Sequence, residues 1–151
     1  MAGQETLGRA ELRRVGARAG ITPDISVRMV AALLALAVAA VHVADQGGIT
    51  VLNSPAWIGW GYRLIEVGGV LTALAVVLAR PAWLGWAAGV LLGAGPFVAY
   101  IASRTVGVPG DPHDVGNWGY WIGTVSLIVE AALVILSAGM LLAPRPRPIS
   151  R

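Results

Sequence analysis

Four apolar runs of twenty or more residues leave this chain few folds to choose from. They cover Ile25–Ala44, Trp57–Ala79, Pro81–Ile101 and Tyr120–Leu142. An α-helix rises ~1.5 Å per residue, so each run crosses a hydrocarbon core of about 30 Å. Soluble domains are about a quarter charged, whereas here 13% of 151 residues are charged and 56% are hydrophobic. Within lipid every backbone N–H and C=O must be satisfied by the chain itself, which a helix does unaided. The sequence therefore predicts an all-α integral membrane protein, a four-transmembrane-helix bundle with helices at about 23–44, 56–79, 81–104 and 117–143. Residues 1–22 form a basic tail, 23–143 the transmembrane domain and 144–151 a Pro/Arg-rich tail. Thr22-Pro23-Asp24 reads as the start of the first helix and Ser54-Pro55 as the cap of the second. The first run is too long for the core of a signal peptide and three more spans follow it, so it is expected to be retained.

Orientation follows from arginine, which supplies all eleven basic residues. Arg9, Arg13, Arg14 and Arg18 precede the first span, Arg80 joins the second to the third, and Arg145, Arg147 and Arg151 follow the fourth. The connection 45–56 carries no basic residue, and the one after the third span has only Arg104 at its edge. The positive-inside rule then places both termini in the cytoplasm of a plasma-membrane protein, as an even number of spans requires. Arg28 lies near enough to a helix end to snorkel. The basic tails suit anionic lipid rather than nucleic acid.

Much chemistry is excluded at once. With no cysteine there is no disulfide, thiolate metal site or thiol redox couple. Signatures of metalloproteases, serine hydrolases and phosphate loops are absent. The tryptophans 57, 60, 83, 86, 118 and 121 fall near span ends, as an interfacial aromatic belt does. Gly85, Gly89 and Gly93 make two overlapping GxxxG steps, which allow close helix approach.

Ionisable residues inside a bilayer cost ~2.5–3.5 kcal/mol each on insertion scales, so they turn inward and pair. Arg63 and Glu66 share a face of the second span with Gly59, Gly69 and Ala73. In the fourth span Glu130 continues a stripe of Gly119, Gly123, Ser126 and Ser137. The expectation is that these stripes face each other, with Arg63 between two carboxylates. Arg63, Glu66, Arg104 and Glu130 then form an intramembrane polar network, either a functional site or a structural clasp that fixes helix register.

Apart from Arg28, the ionisable groups of the spans and outer loops fall in the outer half. His42 and Asp45 end the first helix, Arg104 ends the third, and Asp111, His113 and Asp114 lie in the loop that follows. Pro109-Gly110 suits the centre of a type II turn and Asp111-Pro112 starts another, so the loop should fold back over the helix ends. His42, Asp45, Asp111, His113 and Asp114 are thus expected to line an outer pocket beneath a lid at 105–117, with Arg104 turned toward Glu66. Should His42 and His113 converge with the aspartates, the N/O donor set would suit a divalent metal such as Zn(II), Cu(II) or Mn(II).

The segment Ser103-Arg104-Thr105-Val106-Gly107-Val108-Pro109-Gly110, followed by His113 and by Ser126-Leu127-Ile128-Val129-Glu130, resembles an uncharacterised actinobacterial-type family of small four-helix membrane proteins. Members share an SRTxGLPG loop after the third span, a glutamate in an SLxxE setting and a histidine that ends the first span, matched here by His42. Val108 stands where those proteins usually carry leucine, and Asp111-Pro112 replaces an apolar lead-in to the histidine. The resemblance implies the four-helix fold and marks these residues, without an activity to carry over.

The favoured expectation is an accessory, sensing or binding subunit with an outward-facing polar pocket, not demonstrably an enzyme. The bilayer is its first partner, with another membrane protein or a second copy as candidates. The alternatives are an ion- or proton-handling transporter component using Glu66 and Glu130, and a haem- or quinone-binding oxidoreductase subunit.

Overall fold

The computed structural model describes residues 25–143. The Thr22-Pro23-Asp24 start signal and both arginine-bearing tails lie outside the described residues. Four helices account for most of what is described: α1 (Ile25–Gln46), α2 (Ala56–Leu78), α3 (Trp83–Thr105) and α4 (Trp121–Leu142). Each is long and apolar enough to cross a membrane. A single 3-10 turn, Pro112–Asp114, interrupts the last connection.

Short connections dictate the arrangement. The segments 47–55 and 79–82 are too brief to return the chain along a helix, and the Gly116 N–H bond to the Arg104 carbonyl keeps 106–120 at the end of α3, so consecutive helices run antiparallel. α1 packs on α2 and α4, α3 packs on α2 and α4, and the backbones of α2 and α4 make no contact across the diagonal. The expected meeting of the α2 and α4 stripes therefore does not occur. Periodicity identified the inward faces correctly, but each stripe packs on a sequence neighbour instead. Gly69 of α2 meets α1, where an added Cβ would lie 2.7 Å from Ala39 Cβ and 2.8 Å from the Ala35 carbonyl.

Element ends differ from expectation by a few residues. α3 begins at Trp83 because Pro81 and Ala82 form the turn, and it continues to Thr105. α4 begins at Trp121, leaving 117–120 in the loop. Pro55 is itself the N-cap of α2, with φ −69° and ψ 155°, and no side-chain capping hydrogen bond is made there.

The end of the bundle nearer the chain termini is packed on small residues. A Cβ at Gly85 would fall 2.6 Å from the Ala75 carbonyl and 2.7 Å from Val76 Cα. One at Gly89 would strike Ser137, and one at Gly93 would lie 2.7 Å from the Glu130 carbonyl. The GxxxG steps are thus consumed within the bundle, Gly85 against α2 and the other two against α4. Ala31, Val76 and Trp86 form one buried cluster there, and Ala32, Ala35, Val38, Ala73 and Leu133 form another toward mid-bundle. Trp86 is only 3% exposed, so it belongs to the core and not to the expected belt. Arg28 does not simply snorkel. Its Nη1 donates to the Val76 carbonyl at 2.6 Å, and its guanidinium sits 5.9 Å from the Trp86 ring centroid. Val76 belongs to the last turn of α2, whose carbonyls have no helical donor and carry the negative end of the macrodipole.

Candidate functional site

The loop end of the bundle is built differently. The Asp111 N–H donates to the Val108 carbonyl at 3.1 Å, and Gly110 has φ +86°. These are the hydrogen bond and left-handed residue of a type II turn centred on Pro109-Gly110. The turn is docked on α2: Trp57 Nε1 donates to the Pro109 carbonyl at 3.1 Å, and a Cβ on Gly110 would lie 2.9 Å from Pro55. The Gly116 N–H donates to the Arg104 carbonyl at 2.9 Å, tying the far side of the loop to α3. The segment 106–120 is accordingly held over the helix ends.

Beneath it lies a cavity of about 310 Å³ to which all four helices and the loop contribute. Its polar lining includes His42, Asp45, Tyr100, Arg104, Asp114 and Glu130. Trp57 and Tyr62 add aromatic wall from α2, Ser126 lines it from α4, and Asp111 lines it from the loop.

Each polar group has a local reason for its place. Asp45, in the last turn of α1, accepts hydrogen bonds from the Tyr62 hydroxyl of α2 and, at 2.6 Å, from the Tyr120 hydroxyl at the start of α4. One carboxylate thus ties three elements together. Accepting from Tyr120 also pushes that phenol up to about 12, with burial adding to the effect, so it stays a donor at neutral pH. Arg104, 5% exposed, turns inward as expected, yet its partner is Asp114 of the loop and not Glu66. Its guanidinium also stacks 4.5 Å from the Tyr100 ring centroid. The pair fastens the loop to α3.

Glu130 lies deepest, 1% exposed, and accepts from the Ser126 hydroxyl one turn earlier on α4. His42 Nδ1 lies 2.9 Å from the Val38 carbonyl, an acceptor only, so Nδ1 carries the proton. In the neutral ring its Nε2 is an acceptor, 3.8 Å from the ionised Glu130 Oε1. A positive donor between or beside them would be attracted by both. Among the described residues Glu130 Oε2 and Arg104 Nε are buried without a hydrogen-bond partner, while the Tyr100 hydroxyl lies within reach of the Arg104 guanidinium. Buried polar atoms left unpaired cost ~1–3 kcal/mol each, which favours a polar occupant beside Glu130.

Several expected members stand elsewhere. Arg63 pairs with Glu66 within α2 and donates its other terminal nitrogen to the Val51 carbonyl. Gln46 donates to the same carbonyl, so these groups pin the 47–55 connection and do not line the cavity. Arg63 makes no ion pair with Glu130: it is held by Glu66 and the Val51 carbonyl, on a helix diagonal to α4. His113 sits on the short 3-10 turn, exposed and away from the cavity lining, so the two histidines do not converge. Among the described residues no group of three or more histidines or carboxylates is placed to hold a metal ion.

Sequence reasoning missed Trp57 and the tyrosines. The signal was available: Tyr62, Tyr100 and Tyr120 are the only tyrosines in the chain, and all three fall within about two turns of the loop end. The chain matches no protein-family model, no curated protein and no solved structure among those compared, and its function must be read from this cavity.

Proposed function

We propose that this protein is a small binding subunit of the plasma membrane whose polar cavity, under the 106–120 loop, takes a small ligand from outside the cell. The observation that carries this reading is the cavity itself: about 310 Å³ in volume and lined by side chains of all four helices. Small-molecule sites are typically concave, largely apolar and furnished with a few convergent polar groups, at volumes of ~300–1,000 Å³. The scarcity of arginine at the loop end supports outward exposure.

The alternatives fit less well. A transport path using both glutamates needs both free to exchange ions, and Glu66 is engaged with Arg63 and does not line the cavity. Axial ligation of haem by two histidines would need His113, which is exposed beyond the cavity wall.

Orientation is tested with a His113→Cys variant in this cysteine-free chain, treated on intact cells with an impermeant thiol reagent. Labelling without permeabilisation is expected. Binding is tested by comparing the wild type with Gly61→Phe, which fills the cavity from a position where an added Cβ meets nothing within 4 Å. Small molecules that raise the unfolding temperature of the first and not the second support the reading. Ligands that stabilise both equally contradict it.

A further inference from the structure

We infer that the ligand of this cavity is a small organic cation, a protonated amine, with Glu130 as its counter-ion. The inference rests on the binding reading above and goes beyond it to the charge of the ligand. Four carboxylates line the cavity, Asp45, Asp111, Asp114 and Glu130, against the single guanidinium of Arg104. Protonating His42 would still leave the balance negative. The groups are not equally free. Arg104 is taken by Asp114, and Asp45 receives two phenolic hydroxyls.

Glu130 remains. It is the most deeply buried of the four, no arginine pairs with it among the described residues, and its Oε2 has no hydrogen-bond partner among them. The nearest basic group is His42 Nε2, whose lone pair faces the same carboxylate at 3.8 Å. With the imidazole neutral, Nε2 and the carboxylate are two acceptors side by side, which an ammonium group can bridge with up to three N–H bonds. Above it Trp57, Tyr62 and Tyr100 offer aromatic wall. Aromatic faces attract ligand cations, more strongly where water is excluded. A bare divalent ion suits the site less, since the carboxylates are not gathered as a ligand set.

The test reads charge selection directly. A Gly61→Cys variant places one thiol in the cavity wall without a steric cost. The purified full chain in nanodiscs is treated with three methanethiosulfonates of similar size: trimethylammonium-ethyl, sulfonatoethyl and neutral hydroxyethyl. Each rate is divided by that of a free thiol in solution. We expect the neutral reagent to react and the cation to outpace the anion by about tenfold or more, the scale on which charged clefts concentrate counter-ions. Adding Glu130→Gln should bring that ratio toward one while the neutral rate holds, which shows that the cavity is intact.

Reaction of the neutral reagent with a cation-to-anion ratio near one overturns the cation and leaves the cavity standing. So does a high ratio that Glu130→Gln fails to lower, because Glu130 is then not the counter-ion. If no reagent reacts while all three label a His113→Cys variant, the cavity reading falls and the inference falls with it. If Glu130→Gln does not fold, the ratio in Gly61→Cys still decides the charge of the ligand, and Asp111→Asn must leave that ratio high, since a collapse there would make Asp111 and not Glu130 the counter-ion.

Discussion

The two ends of this bundle solve opposite problems with the same four helices. At the terminal end glycine lets backbones touch, and Ala31, Val76, Trp86 and Ser137 fill what remains. At the loop end tyrosine, histidine and carboxylate side chains hold the helices apart around about 310 Å³ of space. Association of helices in lipid is driven by close packing and interhelical hydrogen bonds, not by expulsion of water. The terminal end relies chiefly on the first means, with the Arg28 bond to α2 added, and the loop end on the second.

That contrast breaks first where the packing is tightest. Gly85→Val should destabilise the protein by about 3 kcal/mol or more, because its Cβ meets the backbone of α2, which cannot step aside as a side chain can. Reversible unfolding in mixed detergent micelles measures this.

The next effect falls on the loop end. Arg104→Leu removes the partner of Asp114, and the cost should be ~1–3 kcal/mol. That is less than the ~3–5 kcal/mol of a fully buried pair, because the Asp114 side chain is 33% exposed and keeps some solvent. Amide hydrogen exchange should quicken in the 106–117 segment and remain unchanged in α2 beyond Gly69.

A glycine substitution sharpens the comparison from the other side. Gly61→Ala should leave stability unchanged or raise it by up to ~1 kcal/mol, since its Cβ enters open space and alanine favours the helix. The same unfolding assay, run beside Gly85→Val, gives the contrast in one experiment.

The smallest expected effect is a null coupling. Arg63→Leu and Glu130→Leu should be additive within ~0.5 kcal/mol, as for residues without a shared partner. A larger recovery in the double variant would mean that α2 and α4 do meet.

Much of this was legible in the sequence, and the remainder was hidden for physical reasons. Runs of spanning length gave four helices, and proline with glycine at 109–110 gave the turn that folds the loop back. The α4 stripe gave its buried face, from Gly123 through Ser126 and Glu130 to Ser137. Which helix a stripe faces is another matter. A period fixes the side of a helix that turns inward but not the neighbour it meets, so Arg63 and Glu130 were matched by charge across a diagonal where they form no ion pair. Trp86 was placed in the belt from its position near a helix end, whereas Arg28 and the close approach at Gly85 enclose it. His113 shares a three-residue turn with Asp114, and only tertiary packing determines that the aspartate lines the cavity while the histidine is exposed.

The account stands on the difference between an open cavity at one end and a closed core at the other. Single-thiol variants Gly61→Cys and Ser137→Cys, each reacted with a small neutral methanethiosulfonate, measure that difference. Gly61 lines the cavity, and Ser137 is fully buried against α3. The account predicts that the first reacts at least about a hundredfold faster, the ratio set by a local opening cost of ~3 kcal/mol at the second site. Equal rates, or faster reaction at Ser137→Cys, would contradict it.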